Sequence, residues 1–334
     1  MRFNNKILIV ISILFIFSVP YINEISFPSL ISDLEIPKAS AISGKIHINN
    51  NWTETKIAGI CSGEGTYQIP YLIKDYRIYS FPESGVKIEN SGVYFVIQNC
   101  TIVSTSKVAG IDFINVNNSR IYNNTCLYTY YGILLESCYN NIINDNDISD
   151  DEDSSYSIST GILLTKNSNN NQIINNKINN CGNYGILISD CDANLIQSNK
   201  INSVDATGIY LSRSKNNIVS ENSVGNSNDA GIYLFDSDNN QILKNNVYDN
   251  GYGIELLKSN DNMIMNNVLS GNEQCIKEEE CIGNIYWYNG FCLFIGEPYL
   301  GILISTVVII VIIGSAFFLL RLDHKRAVKR LTLK

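Results

Sequence analysis

Residues 185–201 read Gly185-Ile186-Leu187-Ile188-Ser189-Asp190-Cys191-Asp192-Ala193-Asn194-Leu195-Ile196-Gln197-Ser198-Asn199-Lys200-Ile201. Residues 231–247 read Gly231-Ile232-Tyr233-Leu234-Phe235-Asp236-Ser237-Asp238-Asn239-Asn240-Gln241-Ile242-Leu243-Lys244-Asn245-Asn246-Val247. Both follow one pattern: Gly-Ile-x-(Leu/Ile), a polar stretch, an apolar doublet, then Asn-x-(Ile/Val). Ile186 and Ile188 alternate with outward positions, as do Ile232 and Leu234, and alternation is the strand period. The apolar pieces are too short and too β-branched for helices, and Asn and Gly stand where a helix would break. Each copy therefore holds two or three very short strands joined by polar bends.

The copy recurs along the chain. Gly-Ile stands at Gly110, Gly132, Gly161, Gly185, Gly208, Gly231 and Gly253, at intervals of 22, 29, 24, 23, 23 and 22 residues. One such unit cannot bury its own apolar residues, whereas stacked units bury them in a continuous interior column. With parallel strands about 4.8 Å apart, the stack is a rod on the order of 40 Å long. The interval of 29 contains an insertion, Ser149-Asp150-Asp151-Glu152-Asp153-Ser154-Ser155, expected to protrude as a loop. Asn124, Asn146, Asn176, Asn199, Asn222 and Asn245 align at one point of the turn. An Asn there tolerates a tight bend, and stacked Asn side chains form hydrogen-bonded ladders.

These repeats resemble the right-handed parallel β-helix repeat, in particular the NosD-like proteins and the related carbohydrate-binding and sugar-hydrolase (CASH) domain. The Gly-Ile-x-Leu and Asn-x-Ile elements carry the resemblance. Ser62-Gly63-Glu64-Gly65-Thr66-Tyr67 with Pro70-Tyr71-Leu72-Ile73 looks like the opening of such a domain, and Val96–Ile102 like a first turn. The resemblance covers about residues 60 to 290 and implies a β-helix ectodomain over 60–291. Family members include copper-site maturation factors, sugar-active enzymes and surface proteins, and a shared scaffold does not transfer chemistry.

The ends differ from the middle. Arg2 and Lys6 precede an apolar run from Ile7 to Val19, the pattern of a secretory signal or signal anchor over 1–23. A lead-in follows over 24–59. Past a short linker at 292–298, Tyr299 to Leu320 is 22 residues without a charge, long enough for one transmembrane helix. The basic tail at 321–334 then sits in the cytoplasm. The expected topology is a single-pass protein of the cell membrane with the β-helix outside. Residues 7–320 carry a net charge of −15, which argues against a nucleic-acid partner.

Nine cysteines in an exported chain raise the question of disulfides. Cys138 and Cys191 share a column but lie two turns apart, beyond the roughly 7 Å limit for a bridge, so both are expected as buried small side chains. Cys275, Cys281 and Cys292 cluster near the exit, where a local bridge fits. Sequons stand at Asn51, Asn99, Asn117 and Asn123, candidate glycan acceptors in an exported chain, with commitment to the turns the alternative for Asn99 and Asn123. The aromatic segment Cys281–Phe291 is expected to cap the rod, because an open end exposes edge strands and core.

Chemistry is sparse. Two residues after the glycine, facing outward, stand Asp112, Leu134, Leu163, Leu187, Tyr210, Tyr233 and Glu255. Leu134, Leu163, Leu187, Tyr210 and Tyr233 form an outward apolar stripe over five turns, a candidate binding face for a glycan or a surface protein. The alternative is that another part of the chain covers it, such as residues 44–60 or the insertion. Five residues after the glycine, Asp190, Arg213 and Asp236 are the nearest approach to an acid–base constellation, as a polysaccharide lyase or glycoside hydrolase needs. Solvated polar residues of a surface turn explain them as well. Histidine is limited to His47 and His324, and Cys-x-x-Cys is absent, so no metal or cofactor is expected. The reading favours a membrane-anchored binding protein without catalysis; a lyase or hydrolase, or a structural envelope component, are the alternatives.

Overall fold

The computed structural model describes residues 40–104, 106–149 and 158–290. They form a right-handed β-solenoid. Successive turns stack their strands in three parallel ladders, two of which the long strand Lys177–Ser189 joins into one 19-stranded sheet while the third is a separate 10-stranded sheet. In one turn these are Thr207–Ser212, Ile218–Ser220 and Ser223–Ser227, and the next turn begins with Ala230–Phe235. We call these ladders the Gly-Ile, doublet and Asn-x-Ile sheets, the first and last being the two arms of the 19-stranded sheet.

The sequence period is the stacking register. Ile133 pairs with Ile162, Ile162 with Ile186, Ile186 with Ile209, Ile209 with Ile232 and Ile232 with Ile254. The doublet sheet pairs Ile173 with Ile196 and Ile196 with Val219. The Asn-x-Ile sheet pairs Ile178 with Ile201 and Ile201 with Val224. All these side chains are fully buried. The glycine column is a matter of space. A Cβ on Gly208 would lie 2.2 Å from Val224 Cγ1 and 2.7 Å from the Gly231 carbonyl oxygen. The Asn-x-Ile strand of the same turn occupies the room a side chain would need.

Polar ladders run beside the apolar core. Asn199 Oδ1 accepts the Asn176 backbone N–H and side-chain amide, and Asn222 Oδ1 serves Asn199 in the same way. A second Asn ladder runs through Asn141, Asn171, Asn194, Asn217 and Asn240. The ladder asparagines do not take the tight bend, contrary to the expectation for Asn124 and its equivalents. The left-handed backbone falls one residue earlier, on Asn123, Asp145, Asn175, Ser198, Glu221 and Lys244. The two tasks differ: a rung needs both an amide donor and an acceptor, while a bend needs only a side chain that tolerates positive φ. Cys138 and Cys191 are buried and reduced, as expected. They also act as rungs. Cys138 N donates to Ser168 Oγ, Ser168 N to Cys191 Sγ and Cys191 N to Ser214 Oγ.

The rod starts earlier than the expected boundary at residue 60. Ser40–Ser43 pairs with the strand Tyr76–Ser80, and Ile46–Asn49 pairs with Val86–Ser91. Between them and the next turn, helix α1 (Trp52–Ile57) closes the N-terminal end. Trp52 is buried there, stacks on Tyr71 at 4.9 Å and donates its indole N–H to Ser91 Oγ. Ile46–Asn49 thus belongs to the Gly-Ile sheet and Trp52–Ile57 plugs the end, so neither lies over the stripe. At the other end the expected cap is itself a last turn: Ile285–Trp287 pairs with Met263–Met265 as a doublet strand. No helix among the described residues is long and apolar enough to cross a membrane. The expected signal (1–23), the acidic insertion from Asp150, the helix at 299–320 and the tail lie outside the described residues.

Candidate functional site

The outer face of the Gly-Ile sheet is the candidate site. Leu134, Leu163, Leu187, Tyr210 and Tyr233 stack in direct register on consecutive turns. All five are half-buried. Every described element is a strand of the three sheets or the end-capping helix, so no described element crosses the stripe. Register extends the column beyond its predicted end members Asp112 and Glu255, through Lys87 and His47 on one side and Lys277 on the other. The N-terminal extension was hidden because its turn starts with Gly85-Val86, not Gly-Ile.

The tyrosines shield one another's ring faces, Tyr210 between two neighbours and Tyr233 on one side. Tyr210 and Tyr233 stack on each other at 4.9 Å with 10° between planes, and Tyr184 leans on Tyr210 at 5.3 Å. In-register parallel strands set equal side chains at the stacking distance. The rings therefore turn edges and hydroxyls outward. Burial raises both phenol pKa values, that of Tyr233 to about 12 with help from the Glu255 charge. Both hydroxyls stay protonated and able to donate and accept hydrogen bonds. At the C-terminal end Lys277 Nζ lies 2.7 Å from Glu255 Oε1 and 4.5 Å from the Tyr252 ring centroid.

The N-terminal end carries most of the ionisable groups. Asp112 Oδ2 accepts from Ser84 Oγ at 3.3 Å, and its buried Oδ1 has no partner. Burial pushes the Asp112 carboxyl above the ordinary carboxylate range, against the pull of Lys87. Glu89 takes His47 Nε2 at 2.7 Å and Lys87 Nζ at 3.2 Å, and the His47 bond chiefly lowers its pKa. Glu136 pairs with Lys166 at 2.6 Å. The sequence signal for this cluster was only the acid at the head of the stripe.

Asp190, Arg213 and Asp236 share a column at the left-handed bend that follows the Gly-Ile strand. Arg213 grips Asp190 with Nε at 2.7 Å and Nη2 at 2.8 Å, which holds the Asp190 carboxyl below its ordinary range. Asp190 therefore has no proton to give at neutral pH. Similar exposed pairs join neighbouring turns elsewhere, as Lys177–Asp147 and Lys215–Asp238 do. Asp190 and Arg213 belong to that pattern of inter-turn charge pairing, and Asp236 shares their column without an ion pair to Arg213.

The fold is that of a right-handed parallel β-helix repeat protein. Residues 71–224 match the family described as periplasmic copper-binding protein (NosD), and residues 160–295 match the right-handed β-helix region family. The chain is thus a parallel β-helix repeat protein that is similar, over residues 71–224, to the NosD family. No curated protein matches the sequence significantly. Among solved structures, the Dettilon tailspike protein is similar at 14% identity and a TM-score of 0.55, over 75% of this chain and 54% of that one. The periplasmic alginate epimerase AlgG is similar at 15% identity and a TM-score of 0.41, over 74% and 85%. The AlgE4 A-module, a mannuronan C-5 epimerase of Azotobacter vinelandii, gives 12% and 0.40, over 78% and 90%. These likenesses are of fold.

The donor set does not fit the copper that one family description mentions. Among the described residues His47 is the one histidine, and it is bonded to Glu89. No three His, Cys, Asp or Glu side chains among the described residues converge to hold a metal. Burial raises the Cys126, Cys138 and Cys191 thiols to about 12, so they stay protonated.

Proposed function

We propose that this protein is a cell-surface binding protein, anchored through residues 299–320, that takes an extended carbohydrate chain along the stripe Leu134, Leu163, Leu187, Tyr210 and Tyr233 without cleaving it. One observation carries the reading: five half-buried apolar or amphipathic side chains line up along the rod with no described element over them. A narrow strip about 20 Å long suits a polymer lying parallel to the rod axis. Tyrosine edges offer hydroxyls to sugar hydroxyls, while the leucines desolvate the flank. The test is a glycan array probed with the ectodomain. Tyr210→Phe with Tyr233→Phe keeps the ring stack and removes both hydroxyls, so binding should weaken by about tenfold, the worth of two hydrogen bonds at about 0.7 kcal/mol each. Capture of no glycan, or binding that ignores both this pair and Leu163→Asp, sinks the carbohydrate reading. Capture of a surface protein in place of a glycan would move the same face to a protein partner, and lateral self-association would move it to a coat component.

Asp112 favours a second reading, a polysaccharide lyase or hydrolase. A carboxyl with a burial-raised pKa is the usual form of a proton donor, and it heads the same strip. Release of new reducing or unsaturated sugar ends, lost in Asp112→Asn, would support that reading. No turnover across acidic and neutral polysaccharides would remove it.

A further inference from the structure

The two tryptophans stand at opposite ends of the rod and in opposite surroundings. Trp52 is buried at the N-terminal end. Trp287 is half-buried on the last doublet strand, among apolar side chains that face solvent. Ile282 is 79% exposed, Ile285 51% and Tyr288 78%. The rings of Trp287 and Tyr288 lie 5.6 Å apart.

The doublet sheet shows how this patch arises. The middle residue of each strand points inward, as Ile196, Val219, Ile242 and Ile264 do, so its two neighbours face out. In earlier turns one of the two is polar: Gln197 beside Leu195, Ser220 beside Ile218, Gln241 beside Leu243. The last two turns drop the polar member. Met263 and Met265 face out from one strand, and Ile285 and Trp287 stand in register with them on the next. Ile282 and Tyr288 lie at the bends on either side of that strand. Charge fills the rest of the last turn. Glu279 and Glu280 are exposed, and Glu278 accepts from Asn284 Nδ2 at 2.7 Å. The apolar surface is therefore confined to the doublet side, a different side of the rod from the outward stripe of the Gly-Ile sheet.

Its place in the chain points to what covers it. Eight residues, 291–298, separate Gly290 from the uncharged run 299–320. At full extension that gap is at most about 30 Å. A bilayer that holds the run is thus within reach of the last turn. Tryptophan and tyrosine favour the membrane–water interface, where the ring is desolvated and its N–H or O–H stays hydrated.

We propose that Met263, Met265, Ile282, Ile285, Trp287 and Tyr288 dock the last turn of the rod against the interface of a lipid bilayer, an inference that rests on the anchor proposed at 299–320. Docking through the doublet side keeps the Gly-Ile face clear of the membrane and open to a polymer. The carboxylates of Glu278, Glu279 and Glu280 beside the patch disfavour a negatively charged surface, so the lipid is zwitterionic.

The test uses the full-length protein in phosphatidylcholine vesicles, with and without acyl chains brominated near the headgroup, which quench tryptophan at short range. Trp287 should lose most of its emission in the brominated vesicles. The loss should vanish in Trp287→Phe, because Trp52, stacked on Tyr71, lies nine strand spacings or about 40 Å from the last doublet strand. Ile282→Asp with Tyr288→Asp should abolish the quenching while the protein still floats with the vesicles after an alkaline carbonate wash. Unquenched Trp287 in floating protein overturns the docking and leaves the anchor standing. Quenching that survives the double Asp variant also overturns it, since nearness to the anchor would then suffice. Protein that washes off overturns the anchor; Trp287 quenched before the wash would still support the patch, and Trp287 unquenched there removes both. Equal quenching in brominated phosphatidylglycerol vesicles overturns the zwitterionic preference.

Discussion

Asn199 makes its hydrogen bonds where water does not reach. Its Oδ1 accepts twice from Asn176, and its Nδ2 donates to the Ile173 carbonyl at 2.9 Å and to Asn222 Oδ1 at 3.0 Å. Asn199→Ala would leave a buried N–H and a buried carbonyl without partners, at about 1–3 kcal/mol for each unsatisfied group. We expect a loss of about 3 kcal/mol in denaturant unfolding, and a similar loss for Asn199→Asp, which keeps the acceptor and removes the donor. Asp112 is the opposite case, a side chain whose environment disfavours its charged form. Its folded pKa lies above the ordinary 3.8. Between the two values the folded state holds more protons than the unfolded one, so this carboxyl costs stability as pH rises through that window. Asp112→Asn should therefore stabilise the rod at pH 7, and the gain should vanish near pH 3 and below. A gain that persists unchanged at low pH would mean that the cause is not the charge.

At the scale of the element, the strands were legible and their side-chain traffic was not. Gly-Ile-x-Leu shows in sequence because burial alternates and because glycine is sterically required. Gly208→Ala tests the second cause. With Val224 Cγ1 at 2.2 Å, the added methyl forces a backbone shift, and we expect about 3 kcal/mol or failure to fold, whereas Ser212→Ala at the rim of the same strand should be mild. The first Asn ladder was readable from its fixed spacing. The second, through Asn171, Asn194 and Asn217, has the same spacing, but adjacent asparagines such as Asn216-Asn217 and Asn239-Asn240 hide which one turns inward. The stacking of Tyr210 on Tyr233 depends on rotamers, which spacing does not specify. Nor does the sequence reveal that Cys and Ser are interchangeable rungs. Cys191→Ser should cost less than about 1 kcal/mol, since Ser168 and Ser214 already fill the neighbouring rungs. Cys191→Ala should cost about 2 kcal/mol because it orphans the Ser168 N–H. Equal costs for the two would show that the thiol acts only as filler.

At the scale of the whole molecule, the rod is a sum of nearly identical interfaces, so its length should be adjustable in whole turns and in nothing else. Deleting residues 208–230 removes the 23 residues from one Gly-Ile to the next and joins Thr207 to Gly231. Every ladder then closes on an equivalent rung: Cys191 meets Ser237, Asn194 meets Asn240 and Asn199 meets Asn245. The inward Ile186 meets Ile232, so the core remains continuous. Deleting only 208–219 instead shifts each later column onto the wrong sheet, turns buried isoleucines toward solvent and drives polar bends inward. The first variant should fold, with a β-sheet circular dichroism spectrum and cooperative melting like the parent. The second should not fold. The pair also separates architecture from binding. The one-turn deletion shortens the outward stripe and seats Tyr233 on Leu187, which removes the Tyr210–Tyr233 stack while keeping the fold. Glycan capture should then fall at least as far as it does with the double phenylalanine variant. A folded one-turn deletion that binds at full strength would place the ligand elsewhere on the rod.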